Sequence, residues 1–273
     1  FTATDDKLFS FTGMQTYLAK DWPDYGQTAN VGADGTDVSL SGTEYTIKTP
    51  CGLAWIAWVT NNEKTKEGNT GEMYTDYYPA SAGFAGCTVT LAGNISLDKP
   101  TGTGIANDFE ANWSIIGNTS GKPFKGTFDG SSHTVSDLSI TTLDGQYHGL
   151  FGCIEGAVIK DLRVEGNIEG SSSMGNDIYV GGIVGFVNSS SKIIACSNAV
   201  EIAVTTTATS SGLNIGGIAG QVNSNIYIRS CWNEASLTGT SSQNLSIGGI
   251  VGSSNSLINN CYSSGTVSGE GTS

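Results

Sequence analysis

Gly248-Gly249-Ile250-Val251-Gly252, followed by Ile258-Asn259-Asn260-Cys261 and then Gly265-Thr266-Val267, is the stretch on which the fold turns. Its first part recurs upstream as Gly216-Gly217-Ile218-Ala219-Gly220, Gly181-Gly182-Ile183-Val184-Gly185 and His148-Gly149-Leu150-Phe151-Gly152. Its second part recurs as Ile228 to Cys231, Ile193 to Cys196 and Ile159 to Leu162, and its third as Ala235 to Leu237, Val200 to Ile202 and Gly166 to Ile168. The repeats run over about residues 148–180, 181–215, 216–247 and 248–273, a period of 32 to 35 residues. One turn earlier, Gly126-Thr127-Phe128 and Val135-Ser136-Asp137-Leu138 read as a shorter copy of about 23 residues. Internal repetition at such a period signals stacked supersecondary units.

Three short strands per repeat cannot form a stable sheet alone. Stacked rungs pair each strand with its equivalents above and below, roughly 4.8 Å apart. The chain is therefore expected to be all-β, a right-handed parallel β-helix behind an N-terminal cap containing a short α-helix. Inward positions become columns: Leu150, Ile183, Ile218 and Ile250; Ile159, Ile193, Ile228 and Ile258; and Leu162, Cys196, Cys231 and Cys261. The three-residue step from Ile to Cys breaks the strand period of two, so a corner is expected between them. Residues 171–176, 205–211 and 241–244, rich in Ser and Thr, are expected as insertions along one edge.

Residues 1–100 do not repeat and form the extension and cap; residues 101–273 form the solenoid. Residues 45–49 read as a strand. Leu53-Ala54-Trp55-Ile56-Ala57-Trp58-Val59 is apolar all round and follows Thr49-Pro50. That pattern predicts a buried helix, suited to plug the open end of a solenoid. Strands are expected at 88–91 and 94–97. The sequence opens at Phe1 rather than Met, so a processed or shortened chain is expected, as is continuation past Ser273.

Charged residues make up 14% of the chain, and the net charge is −13 at pH 7. That balance argues against nucleic acid and anionic membrane as partners. No apolar run reaches the ~20 residues a membrane helix needs.

The segment from Gly248 to Val267 closely resembles the GLUG repeat of bacterial surface proteins. Trp113-Ser114-Ile115-Ile116-Gly117, residues 123–130 and His133-Thr134-Val135 resemble the lead-in that precedes such repeats, as does the helix around Trp55. The resemblance covers about residues 43–268. It implies a β-helical, adhesin-like module, extracellular and either secreted or anchored at the bacterial cell surface. Such repeats also accompany cell-wall proteins and large peptidases.

The chemistry legible in the chain is sparse. Cys51, Cys87, Cys153, Cys196, Cys231 and Cys261 contain no Cys-x-x-Cys pair, which leaves no zinc signature. Parallel stacking separates the Cβ atoms of the Cys column by a full rung, too far for disulfides; only Cys51 with Cys87 is considered as a bridge. His133 and His148 adjoin no nucleophile motif. Asp137 and Asp161, with Lys160, form the best carboxylate constellation and would carry an alternative reading as a polysaccharide lyase or glycoside hydrolase. Asp129 reads as a turn residue. Calcium is considered because oxygen-rich loops suit hard cations, but no Asp-x-Asp-x-Asp loop is present, so no metal or cofactor is expected. Trp22, Tyr25, Tyr74, Tyr77, Tyr78 and Trp232 are the candidate ligand-binding rings, since flat aromatic faces serve recognition surfaces. Trp22 and Tyr25 are expected in a loop. The preferred function is a non-catalytic module that binds glycan or a host or bacterial surface protein, or presents a rigid stalk.

Overall fold

The structure, a computed structural model, describes residue 19 and residues 21–69, 75–100 and 112–271. It is a parallel β-solenoid. A 15-stranded sheet runs its length, and two four-stranded sheets complete the rungs.

The cap begins with helix α1, Trp22–Gln27. Asp21 caps it by accepting a hydrogen bond from the Asp24 amide at 2.8 Å, and Pro23 occupies its first turn. Asp-x-Pro is a helix start, so the expected loop here is corrected to a helix. Strands Val38–Ser41 and Glu44–Ile47 form an antiparallel hairpin. Helix α2, Pro50–Asn61, follows as expected; the Thr49 hydroxyl accepts from the Gly52 amide, and residues 51–57 are buried. Its C-terminal Asn61 is tied to the solenoid by a bond to the Ile115 carbonyl and by accepting from the Gly117 and Asn118 amides. Rings continue from cap into core: Trp55 packs on Phe84, Phe84 on Phe124, and Phe124 on Phe128 and Phe151. Strand Glu44–Ile47 also pairs in parallel with Thr88–Leu91, which pairs with Thr127–Ile140. The large sheet thus passes unbroken from hairpin to solenoid.

The columns stack in register. Ile159 pairs with Ile193, Ile193 with Ile228, and Ile228 with Ile258. The first three are fully buried, and Ile258, on the last described rung, is 38% exposed. Each buried Ile contributes about 1.5–3 kcal/mol. Between the Ile and Leu/Cys columns lies the expected corner. Asp161, Ala195, Ser230 and Asn260 all turn it with positive φ, at 50°, 53°, 55° and 52°. Leu162, Cys196 and Cys231 then re-enter the core, while Cys261 is half-buried.

The earliest turn differs from its reading. Phe128 pairs with Ile159, Val135 with Val164 and Leu138 with Gly166. Gly126 to Phe128 therefore align with the start of the second strand, not with the glycine segment, and the step from Phe128 to Ile159 is 31 residues rather than 23. The corner here takes two left-handed residues, Ser131 and Ser132, instead of one. The glycine-segment equivalent is the lead-in, where Ile116 bridges Phe151 and Phe124 bridges Ile154.

The glycine motif is a corner between the two small sheets, not a strand. Ile178–Gly181 lies in one sheet and Val184–Asn188 in the other. The last glycine of each motif lets backbones touch. A Cβ on Gly185 would stand 2.7 Å from the His148 amide nitrogen, and one on Gly220 would stand 2.6 Å from that of Val180. No side chain fits such gaps. The expected insertions are also partly ordered. Thr205 and Thr206 pair with Ser171 and Ser172 on one side and with Thr240 and Ser241 on the other.

Candidate ligand-binding groove

The carboxylate constellation does not assemble. Asp161 sits at a corner between Lys160, which pairs with Asp129, and Leu162, which pairs with His133. Asp137 lies further along, in the bulge between the Val135–Val164 and Leu138–Gly166 pairs. The two acids are not on one column, because the first turn has a different register from its sequence alignment. Hydroxyls of Ser96 and Ser136 bond Asp137 at 2.6 and 2.7 Å and hold its carboxyl below the usual range. Burial opposes ionisation of Asp129, but hydrogen bonds from Lys160 and Ser131 outweigh it and hold that carboxyl low as well. Lys160 is engaged by Asp129 and lies 3.8 Å from Asp161. Its pKa is raised, mainly by the Asp129 hydrogen bond, which is the wrong direction for a general base at neutral pH.

The aromatic candidates divide. Trp22 is fully buried with its ring edge-on to Trp113, and Tyr78 is buried and stacked on Trp55. Both pack the cap, and neither presents a face to a ligand as a candidate binding ring would. Tyr25 lies edge-on to Trp22, and burial raises its hydroxyl to about 12. Tyr77 is half-buried against the core, and its carbonyl accepts from the Tyr45 hydroxyl. Tyr74 lies outside the described residues.

Trp232 faces outward. It follows Cys231, and strand alternation turns neighbouring side chains to opposite faces. Thr134, Arg163, Ser197, Trp232 and Tyr262 form one outer column in register. The Trp232 and Tyr262 rings stack with centroids 6.4 Å apart and planes 7° from parallel. Where the column narrows to Ser197, a groove of about 210 Å³ opens beside the corner. Ser132, Thr134, Asp161, Arg163, Ser197 and Trp232 are among its lining residues. Ala195, at its left-handed corner, lines the groove with a methyl group. Arg163 donates from Nε to Glu165 at 2.6 Å, and its terminal nitrogen bonds Glu234 two rungs away. That bond holds the Glu234 carboxyl below its usual value.

The six cysteines are free thiols, and all but Cys261 are buried. The Cys51–Cys87 bridge that was considered is not formed: Cys51 donates to the Tyr25 carbonyl and its sulfur contacts the Thr28 hydroxyl. Burial raises the Cys51 and Cys153 thiols to about 12. His133 lies on a strand, paired with Leu162. His148 is fully buried; Nε2 contacts the Gly145 carbonyl at 2.7 Å, and Nδ1 has no partner. Among the described residues, no three His, Cys, Asp or Glu side chains gather around one point. No helix there is long and apolar enough to cross a membrane.

Sequence reading overlooked a second outer cluster, in which Tyr147 stacks on Tyr179 at 5.5 Å and both rings meet Phe186. Its signal was the phase of Tyr179, between the inward Ile178 and Val180.

The model of the GLUG motif matches residues 243–268. Among solved structures, the chain is similar to a Bacteroides ovatus protein provisionally described as an immunoglobulin A1 protease. The two share 13% identity with a TM-score of 0.38, over 88% of this chain and 86% of the other. No curated protein matches the chain.

Proposed function

We propose that this GLUG-bearing β-solenoid is a non-catalytic, surface-displayed or secreted bacterial module that binds glycan in the groove ended by Trp232. The observation that carries the reading is the stacked Trp232–Tyr262 pair beside a groove lined by hydroxyls. Binding sites for small ligands combine a concave apolar wall with a few polar groups. Here the ring supplies the flat apolar wall, and Ser132 and Thr134 supply the polar groups. The surrounding rungs hold the wall rigid, so little ordering cost is added on binding. An enzymatic reading has less support, since Asp137 and Asp161 lie apart and Lys160 is held by Asp129.

A glycan array probed with the purified chain and its Trp232→Ala variant tests the reading. Binding by the parent, lost in a variant with an unchanged circular dichroism spectrum, supports it. An array on which parent and variant behave alike rejects it.

A further inference from the structure

We infer that the groove selects uncharged sugars, and that Glu165 and Glu234 set this preference by occupying Arg163. The inference rests on the glycan reading above and adds the class of glycan.

The argument starts from the cations at the groove. Arg163 lines it, and Lys160 adjoins it beside Asp161. A free guanidinium is the side chain best shaped to grip a carboxylate or sulfate with paired hydrogen bonds. Arg163 is not free. Glu165 takes its Nε hydrogen at 2.6 Å, and Glu234 takes a terminal nitrogen from two rungs away. Lys160 is likewise held between Asp129 and Asp161. Two cations thus face four carboxylates, and the chain as a whole carries −13. An anionic sugar would meet a guanidinium whose charge is already balanced, and would bring its own charge beside Glu165 and Glu234. A neutral sugar meets no such repulsion. Its hydroxyls match those of Ser132 and Thr134, while buried Ser197 forms the groove floor. Its apolar face matches Trp232.

The test is calorimetric titration of the parent chain with cellotriose, mannotriose and laminaritriose on one side and trigalacturonate on the other. The expected result is binding of at least one neutral trisaccharide, with affinity changing less than about twofold between low and moderate salt, because no ion pair forms. Trigalacturonate should bind at least about tenfold more weakly. The Glu234→Gln variant and the Glu165→Gln/Glu234→Gln double variant release Arg163. Both should gain affinity for trigalacturonate, by about tenfold or more in the double variant. That gain should be salt-sensitive, and neutral binding should be unchanged. Both substitutions are at exposed ion pairs, which contribute little to folding, and thermal melts check this. Equal or tighter binding of trigalacturonate by the parent, or no gain in the double variant, overturns the inference while leaving the glycan reading intact. Absence of binding to every sugar in every variant rejects both.

Discussion

The Asn198 side-chain amide donates to the Asn233 side-chain carbonyl at 2.7 Å, and both residues are completely buried. Each also closes its own turn. Asn198 accepts from the Val200 amide, Asn233 accepts from the Ala235 amide and donates to the Ala235 carbonyl, and Asn233 reaches on to the Ser263 hydroxyl at 3.1 Å. The ladder leans on the glycine corner: a Cβ on Gly182 would collide with Asn198, and one on Gly217 with Asn233. The second glycine of the motif is thus matched to an amide one sheet away.

Breaking that ladder should be costly. Asn233→Ala leaves the Ala235 amide without its acceptor and removes the acceptor of Asn198. Stranded buried polar groups cost about 1–3 kcal/mol each, so urea denaturation should show a loss of about 2–4 kcal/mol. Ser263→Ala, at an exposed residue, should cost under about 1 kcal/mol. Equal effects would mean the ladder is not a cooperative element.

The close backbone approaches predict a second contrast. Gly220→Ala places a Cβ 2.6 Å from the Val180 nitrogen and 2.7 Å from the Gly185 oxygen. Rigid backbone cannot yield cheaply, so destabilisation of about 3 kcal/mol or more is expected. Gly93→Ala meets nothing within 4 Å and should stay within about 0.5 kcal/mol. Thermal melts of the two variants distinguish a steric role from a generic glycine effect.

His148 makes stability acid-sensitive. Burial is the main cause lowering its pKa below the ordinary histidine value; the Gly145 carbonyl and nearby Asp144 oppose it. The neutral ring is therefore favoured in the fold, and the unfolded chain takes up the proton first. This contribution is fully present above the unfolded value of about 6.5. It is lost as pH falls from there through the lower folded pKa. The depressed carboxyls of Asp129, Asp137 and Glu234 act in the same direction, but only at lower pH, below their unfolded values. His148→Val copies its stacked partner Val180. Between pH 7 and 5 the parent should lose melting temperature, and the variant should lose clearly less. Parallel curves would remove His148 as the cause.

Thiol access should follow burial. Intact-mass measurement after alkylation of the native chain should show at most one adduct, on half-buried Cys261. Denaturant should raise this to six without any reductant. A requirement for reductant would reveal a disulfide that the structure does not contain.

The repeat pattern carried much of the architecture. Ile159, Ile193, Ile228 and Ile258 could be placed in one column, and Asp161, Ala195, Ser230 and Asn260 at one corner, because spacing within each rung is local and repeats. Helix α2 was equally legible from Thr49-Pro50 and its all-round apolar run. Where local chemistry departs from the repeat, the alignment slipped. Gly130, Ser131 and Ser132 take a corner that one residue takes elsewhere, and this separated Asp137 from Asp161. In the first small-sheet rung, His148 pairs with Val180 while Phe151 pairs with Val184, one residue fewer between them.

The groove belongs to neither category. Its residues come from four successive rungs, and the Arg163–Glu234 link joins positions 71 residues apart. The order of residues along this chain determined which side chains face inward, because alternation and period are properties of neighbours. Which outward side chains meet was decided only when the rungs stacked, because contact across rungs depends on register, and the two extra residues at the first corner reset it.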